Sequence, residues 1–279
     1  MYNNLVFHNR FNNGDVFESR EFVKAVMSII PARNYFYVHS NSRQLLKDIG
    51  GIHHIVSKSP DMGLVSFGRD AVYIDTWIGN GKYGCLVENN YDMFNEILSR
   101  LNFGVLPGIP IDYLPAIDYR FFDITNVNKF MADNKYCGKK VLIDNGDVRS
   151  LQAYNFDFEP IILDLADSNK DNIFIVTSPI KAYRSNIHYT GNVIKSQRDS
   201  DLMEISYLAK YCDVIVGRNS GPFVFSSTAE NLNSKKTFIS LCYEQRVSTF
   251  HVNQAVRSRQ VWSGATSRKE VFDVINNEL

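Results

Sequence analysis

At 279 residues, with 44% apolar and 13% aromatic side chains, the chain is long for one compact domain and suits two modest ones with real cores. Its 30 basic residues balance 30 acidic ones, which argues against a dedicated nucleic-acid binder. No apolar run approaches the ~20 residues that a membrane span needs, and the opening "MYNNLVFHNRF" lacks the basic start and apolar stretch of a secretory signal.

Short apolar runs alternate with longer stretches of helical period, the pattern of an α/β layered fold. "NLVFH" (4–8) reads as a strand. After the turn "NRFNNGD" a helix runs to about Ile30, with Ser19, Phe22, Val23, Val26 and Ile29/Ile30 on one face, and Pro31 stops it. "YFYVHS" (35–40) is a second strand, "NSRQLLKDIG" a short helix closed by Gly50-Gly51, and "HHIVS" (53–57) a third strand. "AVYIDTWI" (71–78) is the next strand and "NYDMFNEILSRL" (90–101) the next helix. Periodicity fades between about 104 and 138, where prolines and aromatics are dense. A small helix is expected near "NVNKFMADN" as the chain leaves its first domain, 1–135.

The second domain, 136–279, starts afresh. Strands are expected at 139–144, 172–178, 213–217 and 236–243, and helices at 158–168, 200–212, 222–232 and 267–279. Crossovers of this length make mainly parallel sheets with right-handed connections, and hence two Rossmann-like domains facing across a cleft. The last helix is expected to pack back on the first domain. Four scattered cysteines, Cys85, Cys137, Cys212 and Cys242, form no CxxC pair and read as reduced, mostly buried thiols of a cytoplasmic protein.

Ligands of such sheets bind at the carboxyl ends of the strands, so the strand-to-helix turns carry the chemistry. In Asn12-Asn13-Gly14-Asp15, glycine allows a sharp turn and close approach of a ligand. Asp15 with Glu18 approximates a capping box. The same carboxylate is equally placed to take a proton from a hydroxyl. In "VIVGRNSGP", Gly217 ends a strand, and Arg218, Asn219, Ser220 and Gly221 lead into a helix with Pro222 in its first turn. Free N–H groups, a hydroxyl and an arginine make an expected diphosphate site, although Ser220 also serves as a plain helix cap. "GNGKYG" (79–84) matches a dinucleotide fingerprint only in letters, because no helix opens at its last glycine and no acidic strand end follows. "RDSD" (198–201) is a D-x-D, more economically read as a helix cap, and no metal is assigned. The six histidines show no metal-ligand spacing.

"LVFHNRFNNGDVFESREFVKAVMSIIP" resembles the opening of bacterial heptosyltransferases, glycosyltransferase family 9. "LMEISYLAKYCDVIVGRNSGPFVFSSTAENLNSKKTFISLCY" is similar to that family's second signature, and the two occur in the right order. The resemblance implies a GT-B fold and inverting, metal-independent transfer of a sugar from a nucleotide-sugar to a hydroxyl, without a cofactor. The acceptor, a glycan or lipid-linked molecule, would lie in the first domain beside Asn12, Asn13 and Gly14, with Asp15 as general base. The donor would lie in the second, its diphosphate on Asn219, Ser220 and Gly221, with Arg218, Arg149 and Lys181 supplying positive charge. The implied setting is the cytoplasm, with contact at the inner face of a membrane. Two positions depart from the family pattern: Asn219 stands where Asp is usual, and Val224 where His is usual. Two other readings fit the same scaffold, a nucleotide-sugar epimerase and a catalytically silent nucleotide- or sugar-binding protein.

Overall fold

A computed structural model describes residues 2–40, 43–59, 61–81, 86–105, 114–134, 138–149, 152–194, 200–244 and 256–279. It divides into two compact units, Met1–Phe121 and Phe122–Leu279.

The first unit opens with β1 (Tyr2–Asn9), whose second half is buried, followed by α1 (Asn13–Glu18) and α2 (Arg20–Ile29). Next come β2 (Ala32–His39), a 3₁₀ turn at Arg43–Leu46, β3 (Ile52–Val56), β4 (Val65–Phe67) and β5 (Ala71–Asp75). A second 3₁₀ turn at Ile78–Asn80 precedes α3 (Leu86–Arg100). The strand order is β3-β2-β1-β5-β4, parallel except for β4, which runs antiparallel to β5. Leu5 and Phe7 are fully buried because the central strand is covered.

The helix expected from the Gly-Asp turn to Ile30 is two helices. At the junction the Ser19 hydroxyl donates to the Val16 carbonyl and bonds the Tyr37 hydroxyl, each at 2.9 Å, competing locally with helical pairing. Phe22, Val23, Val26 and Ile30 form the buried stripe, as their spacing requires. The helix expected at 41–50 is only the 3₁₀ turn. It is fastened by Arg20, whose side chain is fully buried, pairs with buried Asp48 and donates to the Leu45 carbonyl at 2.6 Å.

The second unit contains α4 (Thr125–Asp133), β6 (Lys140–Ile143), α5 (Glu159–Ser168), β7 (Ile173–Val176), β8 (Ile187–Tyr189) and α6 (Thr190–Ile194). It continues with α7 (Leu202–Ala209), β9 (Val214–Gly217), α8 (Gly221–Ser226), α9 (Ala229–Leu232), β10 (Thr237–Leu241), β11 (Arg259–Ser263) and α10 (Arg268–Asn276). Its sheet is parallel throughout, in the order β8-β7-β6-β9-β10-β11. That is the doubly wound order, with its topological switch between β6 and β9. Val141, Ile143, Phe174, Val176, Val214 and Val216 form the core with Ile161, Ile162 and Leu165 of α5.

Several expectations change here. The division falls after Phe121 rather than after 135, because α4 joins the second unit: Asn126 Nδ2 donates to the Ile194 carbonyl at 2.8 Å, and the Tyr207 hydroxyl to Asn128 Oδ1 at 2.9 Å. The last helix, expected on the first domain, belongs to the second core. Val271 and Ile275 are fully buried there, and Arg268 bonds Asp164 of α5. The helix expected over 222–232 is split, with Thr228 capping α9 by accepting from the Asn231 N–H at 3.3 Å. Strands β4, β8 and β11 have no counterpart in the sequence reading. All three lie at sheet edges, where one-sided pairing relaxes the demand for apolar residues.

Candidate functional site

In the first unit, β1 and β5 lie side by side and parallel, and the strand order reverses between them, so their carboxyl ends frame the place where a ligand of such a sheet would sit. Asn9, at the end of β1, accepts the Phe11 N–H on Oδ1 at 2.9 Å and shapes the turn. Asn12 then caps α1, and Asp15 Oδ2 accepts the Asn12 N–H at 3.1 Å, completing a reciprocal capping box. The box is therefore Asn12 to Asp15, three residues earlier than the Asp15 to Glu18 spacing suggested, and Asn13 and Gly14 lie inside the helix rather than in an open loop.

Asp15 is half-buried, and that burial raises its carboxyl pKa even though Asn12, its own backbone and the Trp77 side chain all donate to it. One turn on, Glu18 is pushed up to about 8, by burial first and by the charge of Asp15 second. His8, 1% exposed at the end of β1, has neither ring nitrogen partnered. Burial lowers its pKa, Asp75 opposes this and Arg10 adds to it. The Trp77 ring stacks on Phe11 at 4.2 Å, and the Trp77 backbone N–H donates to Asp75 Oδ1 at 2.9 Å. Behind them Asn9, Thr76, Tyr37 and Ser19 form a buried chain of hydrogen bonds that holds the α1–α2 junction against the strand ends. Asp75, Trp77 and Tyr37 were not singled out in the sequence, and Glu18 was read only as part of a capping box. Acid or aromatic residues at strand ends, and the acid one turn past Asp15, were the available signals.

In the second unit the switch point lies between the ends of β6 and β9. Asn219 has a φ of 55° and Gly221 a φ of 45°, so the chain turns sharply through Ser220 before α8. Glycine suits that left-handed position; Asn219 is among the few other residue types that occupy it readily. Ser220 stands at the cap position but its side chain makes no capping bond.

The anion at this helix start is the chain's own. Asp144, which follows β6 and is 5% exposed, accepts the Phe223 N–H on Oδ2 at 3.3 Å and the Thr177 hydroxyl on Oδ1 at 3.0 Å. Burial pushes its carboxyl up to about 6, against the pull of these bonds and of Arg218. The expected diphosphate contacts of Arg218 are also corrected. Its side chain is 1% exposed, between the Phe156 and Phe158 rings at 4.4 and 4.6 Å. It donates to the Gly146 carbonyl at 2.9 Å and to the Phe156 carbonyl. A guanidinium so committed braces the segment between β6 and α5 and is not presented to a ligand. Arg149 is exposed on that same segment. Lys181 is exposed beyond β7, two strands from β9. Val224 is buried and apolar and offers a phosphate nothing.

Among the described residues no group of three or more His, Cys, Asp or Glu is arranged to hold a metal ion. In the D-x-D stretch, Arg198 and Asp199 lie outside the described residues, and Asp201 caps α7 by position. Of "GNGKYG", residues 82–84 lie outside, and Gly79 to Gly81 belong to a 3₁₀ turn and its end rather than to a helix start. Cys212 and Cys242 are buried and unbridged, whereas Cys85, Cys137 and His251 lie outside the described residues. No helix among the described residues is long and apolar enough to cross a membrane.

No protein-family model matches the chain, and no curated protein matches it. Solved structures do. A glycosyl transferase of family 9 from Veillonella parvula is similar over 99% of this chain and 89% of its own, with a TM-score of 0.56 and 10% identity. The E. coli heptosyltransferase WaaC, solved with ADP, is similar over 99% and 100%, with a TM-score of 0.54 and 10% identity. The iron-containing dodecameric heptosyltransferase TibC, known from enterotoxigenic E. coli and solved with ADP-D-beta-D-heptose, is similar over 95% and 63%, with a TM-score of 0.53 and 10% identity. At such identities the likeness establishes the fold: two parallel-sheet α/β domains of the kind these glycosyltransferases have.

Proposed function

We propose that the chain is a metal-independent, inverting glycosyltransferase that moves a sugar from a nucleotide-sugar to a hydroxyl of a glycan or lipid-linked acceptor in the cytoplasm. The observation that carries this is Asp15, a half-buried carboxylate of raised pKa held at a helix start beside the ends of β1 and β5. It stands in a chain whose fold is that of heptosyltransferases, one solved with ADP and another with ADP-D-beta-D-heptose.

In this reading Asp15 removes the acceptor proton as the oxygen attacks the anomeric carbon from the side opposite the leaving diphosphate. Raised proton affinity favours such a base, because it brings the pKa nearer the operating pH. Charge on the departing diphosphate would be met by backbone N–H groups of the 219–221 turn and by exposed Arg149. Arg218 would act at one remove, fixing the segment that carries Arg149.

A silent nucleotide- or sugar-binding protein is the second reading. The commitment of Arg218 and the presence of Asp144 at the helix start favour it, since both weaken stabilisation of a departing diphosphate, which transfer needs and binding alone does not. The deciding experiment incubates the protein with nucleotide-sugars and a panel of acceptors, and follows nucleoside diphosphate release and sugar transfer. Transfer that disappears in Asp15→Asn supports the enzyme; nucleotide binding without turnover supports the silent binder.

A further inference from the structure

The second unit holds a cavity of about 580 Å³ that neither Arg149 nor Asp144 lines. It lies at the outer edge of the sheet, over β8, between α4 on one side and the segment following β7 on the other. Its size is that of a small-molecule site. None of residues 218–221 lines it.

Its chemistry is specific. Phe130, Tyr183 and Tyr189 offer ring faces and edges, and Ile180 and Ile187 complete an apolar wall. His188 meets Phe130 edge-on at 5.1 Å, and its Nε2 is buried without a hydrogen-bond partner. Lys129 and Lys181 stand exposed on opposite walls, and neither has an ion-pair partner among the described residues. The third cation, Arg184, is already held by the Asp167 carboxylate at 2.7 and 3.0 Å. Asp133 is the one carboxylate among the described lining residues. Two ammonium groups without an ion-pair partner among the described residues, in a cavity that aromatic side chains also line, match a ring that carries an anion. The ring stacks or packs in place of water, and the anion joins the lysines.

We propose that this cavity binds a ring-bearing organic phosphate, held by Lys129 and Lys181 and packed on Phe130 and Tyr183, at a place separate from the 219–221 turn. The ring is that of a sugar phosphate or of a nucleotide; both present the same chemistry to these side chains. The inference does not depend on glycosyl transfer.

Isothermal titration calorimetry on the full chain tests it, with glucose 6-phosphate, adenosine monophosphate and inorganic phosphate as probes. At least one ring-bearing probe is expected to bind about tenfold or more tightly than inorganic phosphate. Lys129→Met and Lys181→Met should each weaken that probe about tenfold, as loss of a charge-assisted contact implies. Ser220→Ala should leave it unchanged. Both lysines are exposed, so an unchanged thermal midpoint confirms that the variants fold. Preference for glucose 6-phosphate identifies a sugar phosphate, and preference for adenosine monophosphate a nucleotide; either upholds the site. Failure of both probes to bind more tightly than phosphate overturns it, as does binding that ignores both lysines or falls in Ser220→Ala. Sugar transfer and its loss in Asp15→Asn would be untouched by that failure.

Discussion

The two strand-to-helix turns look alike in outline but are satisfied in opposite ways. At Asn12–Asp15 the carboxylate that caps the helix comes from inside the same turn, three residues from the backbone N–H it accepts. At Arg218–Gly221 the carboxylate comes from Asp144, 79 positions from Phe223, while the local arginine turns away into an aromatic slot. A helix start needs an anion or acceptor, and it takes one from the nearest source that geometry allows. The first turn keeps a carboxylate at its mouth as a candidate base. In the second, the carboxylate stands where a phosphate was expected.

The largest effect should come from the first turn. Asp15→Asn is expected to lower turnover about 10²–10⁴-fold, the usual worth of a positioned base, with nucleotide affinity near normal. Steady-state transfer rates beside calorimetric nucleotide binding would check this, and wild-type turnover would remove Asp15 from the chemistry.

Arg218→Met probes whether the arginine of the second turn is a brace. Removing one partner from a buried charged cluster typically costs about 3–5 kcal/mol, read by urea unfolding. Were Arg218 a ligand-facing residue instead, stability would hardly move and only nucleotide affinity would fall.

Asp144 distinguishes the turns by pH. Its folded pKa, about 6, lies above the ordinary 3.8, so the native state holds the proton more tightly than the unfolded chain. Stability from this group is present at low pH and lost as pH rises through that window, by up to roughly 3 kcal/mol. Asp144→Asn should abolish that decline between about pH 4 and 6. It should also tighten nucleoside diphosphate binding at pH 7 by removing a like charge. A wild-type stability profile flat across the window would contradict the burial of this carboxyl.

The last effect is expected at Glu18. With its pKa pushed up from 4.5 to about 8, it stays protonated in the folded chain at neutral pH while the unfolded chain ionises it. Wild-type stability from this group is therefore present near pH 4 and lost as pH rises from about 4.5 to 8, so Glu18→Gln should match the wild type at pH 4 and be the more stable of the two at pH 7. A variant less stable than the wild type at pH 7 would show that the carboxylate, not the acid, is the native form.

The alternation of strands and helices, and the parallel class of fold, were legible along the chain because they rest on local periodicity: the buried stripe Phe22, Val23, Val26 and Ile30 repeats at helical spacing. Asp15 was legible for the same reason, since a Gly-Asp pair after an apolar strand is a local signal. The edge strands β4, β8 and β11 were not, because pairing on one side leaves little imprint on composition.

What the sequence alone determined, then, is the order of the central strands and their helices, the class of fold and the position of two strand-to-helix turns. Each of these follows from residues within a helical turn or a strand of one another. Only the tertiary structure decided which carboxylate caps α8, where the guanidinium of Arg218 points, and that Lys181 lines a cavity at the sheet edge. Those outcomes depend on which strands become neighbours, and desolvation and charge then act between groups that lie far apart along the chain.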